Sequence, residues 1–202
     1  MATKSLPSTR SQFMVLACVA TLLSACTGTS HNEIDVREYQ DSRTGVTITA
    51  AKRAIVLYSE EPLLTANTRD YVSMGPVEVN QSGNRSYLLW IGIWTTIDRP
   101  DVSEDTVRKR FDPIYFLIDG EPMEFNRVSR SDIVEAPYEP PAPGAIEGYY
   151  AITRDQIIRF ANAADLKVQA PVSDTSSKDF HLWRMDIDPF TQFAEFLQLS
   201  DK

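Results

Sequence analysis

Tyr87-Leu-Leu-Trp90-Ile-Gly92-Ile-Trp94 is the stretch that decides the fold. Successive side chains of a strand point to opposite faces, so a run that is apolar at odd and even positions alike must be covered on both sides. It predicts a central strand. Upstream, Val77-Glu-Val79 and Gln81-Ser-Gly83-Asn84 read as the first arm and four-residue loop of a hairpin whose return arm spans 86–97. Downstream, Asp98 to Arg110 is charged and contains Pro100, which predicts a surface loop.

Other strands follow from alternation or short apolar runs bounded by turn residues. Val46, Ile48 and Ala50 alternate with threonines, and Ile55-Val-Leu-Tyr58 is a second strand, interrupted at Glu61-Pro62. Ile114–Ile118 and Glu121–Phe125 flank Asp119-Gly120, which suits a type I′ turn because both central residues need positive φ. Pro122 cannot donate to a ladder, which puts its strand at a sheet edge. Tyr149–Ile152, Asp165–Ala170 and Phe180–Ile187 complete the set. Two helices are expected near the C-terminus. Thr153-Arg-Asp-Gln156 is a capping box, followed by Ile157, Phe160, Ala161 and Ala164 on one face. Asp188-Pro189 starts the other, with Phe190, Phe193, Ala194 and Leu197 on its apolar face. The expected fold is mainly β, α+β at the margin: one antiparallel β-sandwich or curved sheet over 46–202 with two short helices.

The composition excludes several classes. The chain has 202 residues, 43% hydrophobic, with 20 Lys+Arg against 28 Asp+Glu. Disorder and coiled coil do not fit this balance. A net charge of −8 leaves no basic excess to neutralise phosphates, so nucleic acid is not an expected partner.

The N-terminus carries the clearest functional signal. Lys4 and Arg10 precede Phe13–Leu23, an apolar run of 11 residues. A transmembrane helix needs about 20, so the run reads as a secretory signal over 1–25. It ends in Leu23-Ser24-Ala25-Cys26. This quartet, in this position, resembles the lipobox of bacterial lipoproteins. The resemblance covers the leader alone. It implies that Cys26 gains a thioether-linked diacylglycerol, that a peptidase cuts before it, and that the bilayer is a partner through the acylated cysteine. Thr27 resembles the class exported to the outer membrane, which would place the domain in the periplasm. Residues 26–45 then form the lipidated N-terminus and a polar tether. Cys18 leaves with the leader and Cys26 is consumed, so cysteine chemistry has no place in the mature chain.

Few residues could carry chemistry. His31 falls in the tether, and His181 shares a strand face with Trp183, Met185 and Ile187, flanking the core. Asp98, Asp101, Glu104 and Asp105 cluster, but without the order of a calcium loop and beside competing arginines. No nucleophile or phosphate motif occurs, and no catalytic residue, metal or cofactor is assigned. Trp90 and Trp94 share a face with Gly92 between them, which is a core feature or a stacking platform. Four prolines fall within Ala136–Gly144, a stiff loop or a slot for a partner. Candidate contacts are therefore Trp90, Trp94, Tyr138, Pro140 and Pro141. The expected function is a membrane-anchored, non-catalytic envelope lipoprotein that binds a protein partner or supports an assembly. The alternatives are a sugar- or peptide-binding module using the Trp90/Trp94 face and, third, a carboxylate hydrolase using residues 98–105.

Overall fold

The computed structural model describes residues 36–60, 68–97, 103–130, 133–173, 176–183 and 188–200. The leader with Cys26, His31, Asp98 and Asp101 lie outside this set. The strands are β1 (Val36–Gln40), β2 (Thr47–Ala51), β3 (Ile55–Glu60), β4 (Arg69–Gln81), β5 (Asn84–Thr95) and β6 (Ile114–Ile118). They continue with β7 (Glu121–Phe125), β8 (Arg127–Val128), β9 (Ile146–Ala151), β10 (Leu166–Ser173) and β11 (Ser176–Leu182). Three helices are described: α1 (Glu104–Arg110), α2 (Arg154–Ala161) and α3 (Pro189–Ser200). None of the described helices is long and apolar enough to cross a membrane.

All strands join one antiparallel sheet in the order β7-β6-β10-β11-β3-β4-β5-β9-β8, with β1-β2 branching from β4. β7 and β8 stand at opposite ends of that order, yet only Asn126 separates them in the chain. The segment 121–128 therefore serves both rims: its first part pairs with β6 and its last two residues with β9. The amide of Ala151 donates to the Asn126 carbonyl at 3.2 Å across the join. The sheet is thus curved nearly into a barrel, the curved form of the expected fold and not a sandwich.

β5 is central, between β4 and β9. Leu89 and Ile91 enter one core, with Val72, Met74 and the phenylalanines of β6, β7, α2 and α3. Leu88 and Trp90 enter a second, with Ile48, Val77, Val79 and Tyr138. This is why the strand is apolar on both faces.

Several expectations need correction. The hairpin loop before β5 is two residues, not four: Ser82 and Gly83 both have positive φ, and Gln81 pairs with Asn84. β4 begins at Arg69, well before Val77. Gly75-Pro76 hides its continuity, but Pro76 sits where β4 passes from β3, paired up to Met74, to β2, paired from Val77, so its missing N–H falls in a gap. Residues 36–40, expected in the tether, form β1 and pair with β2. The segment 98–110 is not all loop. Ser103 accepts from the Thr106 amide, acids occupy the first turn of α1 and bases its last, a charge order that favours a helix.

The expected turn at Asp119-Gly120 has positive φ at both residues, and the Thr153/Gln156 capping box is formed. α2 stops at Ala161, however, and Ala164 is exposed beyond it. In α3, Asp188 accepts from the Phe190 amide at 3.1 Å, an N-cap contact. Its buried face centres on Phe193 and Phe196, with Phe190, Ala194 and Leu197 half-buried.

Candidate functional site

The proline-rich loop is fixed to the sheet rather than projecting from it. Asp41, fully buried at the β1–β2 turn, accepts four backbone N–H bonds. Its Oδ1 takes those of Arg43 and Thr44, both at 3.0 Å, and its Oδ2 takes those of Val134 at 2.8 Å and Glu135 at 2.9 Å. These bonds, the Glu135 amide foremost, hold its carboxyl well below the usual carboxylate range. A depressed folded value means that the stabilisation is present above the unfolded value, about 3.9, and is lost as pH falls below it. Asp41→Asn should therefore lower stability at neutral pH and flatten the acid limb of a stability profile below about pH 4. A wild-type acid limb in the variant would show that this carboxylate does not anchor the loop.

Beyond the clamp, Tyr138 is buried and its hydroxyl donates to the Pro76 carbonyl at 2.9 Å. Burial pushes the phenol up. Its ring lies on Trp90, centroids 4.9 Å apart, and over Gly75, where an added Cβ would come within 2.2 Å of it. Trp90 is fully buried and donates from Nε1 to Glu147 Oε2 at 2.9 Å. At Gly92 an added Cβ would meet the Trp90 ring at 2.8 Å and Pro141 at 3.4 Å, so the bare backbone makes room for the chain's own residues. Pro140 is exposed and Pro141 half-buried. The expected Trp90 platform is covered by the loop expected to serve as a slot, which removes Trp90 and Tyr138 as contacts for an outside ligand.

Trp94 has a different setting, although it shares a strand face with Trp90. Its ring stacks on Tyr71 at 4.1 Å and 9°, half-buried, and its Nε1 is buried without an acceptor. It borders a cleft of about 500 Å³ at the end of the first core. That volume lies in the range of small-molecule sites. β5 and the two residues after it contribute Ile93 to Ile97, the proline-rich loop contributes Ala142 to Gly144, and Ile146 and Phe180 add apolar wall. Glu104, Val107 and Arg110 line the same cleft, three residues apart and so on one face of α1. Asp70 and Lys178, 108 positions apart in the chain, form a largely buried pair at 2.7 Å on its wall. Tyr150, whose hydroxyl donates to the Phe111 carbonyl, ties the end of α1 to β9, and burial pushes its phenol up to about 12.

Three features singled out in the sequence thus converge: Trp94, the end of the proline-rich loop, and Glu104 of the acidic cluster. Glu104 is not paired with another carboxylate; it binds Arg108 one turn on, with Arg108 Nε at 2.8 Å. Among the described residues no three His, Cys, Asp or Glu side chains are placed to hold a metal ion. His181 does not flank the core. It is exposed on the outer face, opposite Tyr58, while Phe180 points inward. Asp70, Lys178 and Arg110 were not foreseen. The helix-forming charge order from Ser103 to Arg110 could have revealed Arg110, but no local signal joins Asp70 to Lys178.

Comparison of the chain with family models, with curated proteins and with solved structures finds no match in any of the three.

Proposed function

We propose that this chain is a lipid-anchored protein of a bacterial envelope whose β-rich domain is a non-catalytic binding module, with the cleft beside Trp94 as its binding site. The observation that carries the binding half is the cleft itself, a concave apolar site bordered by four charged side chains from three separate segments of the chain. The anchor half rests on Leu23-Ser24-Ala25-Cys26. Two or three acyl chains on Cys26 would hold the module at the bilayer, since one chain alone binds only marginally. Thr27 favours the outer membrane and a periplasmic domain.

Cys26→Ser should abolish metabolic lipid labelling and leave the precursor uncut or free of the membrane; unchanged membrane association would sink the anchor. Val107→Trp fills the cleft from α1 without touching the leader. It should remove the small-molecule adducts that native mass spectrometry detects on the wild type while membrane association persists. Adducts that survive this substitution would put binding elsewhere.

A further inference from the structure

We propose that the cleft takes a small organic anion, an oxyanion head on an aliphatic body, with Arg110 as the group that receives the head. The inference rests on the reading of the cleft as a binding site and adds its ligand chemistry.

The charges of the cleft are unevenly settled. Asp70 is answered by Lys178 at 2.7 Å, and Glu104 by Arg108. Arg110 is half-buried on the same wall, and among the described residues no acceptor makes a hydrogen bond or ion pair with it. Its flat fork of donors matches a carboxylate or phosphate edge. A carboxylate or phosphate oxygen would supply the acceptor that Arg110 lacks. The remaining wall, with Val107, Phe111, Ile146 and Phe180, suits hydrocarbon rather than a sugar or a polar peptide.

The test uses the full chain in phosphatidylcholine vesicles and saturation-transfer NMR with three probes: hexanoate, hexyl phosphate and hexanol. Protein-free vesicles give the partition background. At least one anion should bind saturably and more tightly than hexanol, and the tighter anion identifies the head group. Arg110→Gln should weaken that binding about 10- to 100-fold, the weight of a charge-assisted hydrogen bond, with thermal stability unchanged because the side chain has no partner to lose among the described residues. Val107→Trp should abolish it. Hexanol binding as tightly as the anions, or equal anion binding to Arg110→Gln and wild type, overturns the anion assignment and leaves the binding module standing. No saturable signal from either anion overturns the assignment as well. The anchor is read on Cys26 by lipid labelling, so its failure is separate from any of these.

Discussion

Trp90→Ala should cost about 3–5 kcal/mol in denaturant unfolding, the range for truncating a fully buried aromatic. A domain of ordinary stability holds about 5–15 kcal/mol, so this single change consumes much of it. The indole fills the second core at zero exposure, supports the Tyr138 ring and donates to Glu147. Its removal leaves a cavity beneath the proline-rich loop and a carboxylate oxygen without its donor. The loop should loosen with it, visible as faster exchange of the Val134 and Glu135 amides that Asp41 now holds. A loss below about 1 kcal/mol would mean that the loop collapses onto β5 and that this core is dispensable.

Phe160→Ala should be as severe, again about 3–5 kcal/mol, but in the other core. Its ring meets Phe116 edge-on at 5.3 Å and stacks with Phe193 at 4.9 Å, with Phe125 at 6.0 Å. Those contacts join β6, β7, α2 and α3, and aromatic pairs add about 0.5–1.5 kcal/mol beyond burial. Unfolding of the variant should stay a single transition if the sheet and its helices melt as one unit. An early separate loss of helix signal at unchanged sheet stability would show that α2 and α3 dock independently of the barrel-like sheet.

Much of the fold was legible because its strongest signals are local. The two-faced run of β5 names a central strand, and positive-φ turn residues at Asp119-Gly120 leave little choice of hairpin. The capping box of α2 is a contact between residues three apart. What escaped is non-local or lacks an apolar stripe. α1 buries none of its residues fully, so no periodic pattern marks it, and only capping and charge order give it away. The first half of β4 is concealed by Gly75-Pro76, and the reasons for both residues lie elsewhere, in Tyr138 and in the gap between β2 and β3. The site shows the same division. Trp94 stands out in the sequence, but alternation alone cannot separate it from Trp90. The two differ because Pro141 and Tyr138 cover one and the end of the sheet opens beside the other.

The shared strand 121–128 bears on how copies of this protein would coexist when crowded together. An open β-sheet has two rims of unsatisfied amides and carbonyls, each a template for a neighbour and the seed of cross-β aggregates. Here one continuous segment joins the two rims through Asn126, and Arg159 of α2 ties to Glu121 at 2.9 Å beside the seam. Two five-residue strands still have a single neighbour among the described residues, β1 on β2 and β7 on β6. β1 carries Arg37 and Glu38, and β7 carries Glu121, Pro122 and Glu124, short edges whose charges and proline discourage strand addition. Copies held close together would thereby be discouraged from pairing sheet to sheet.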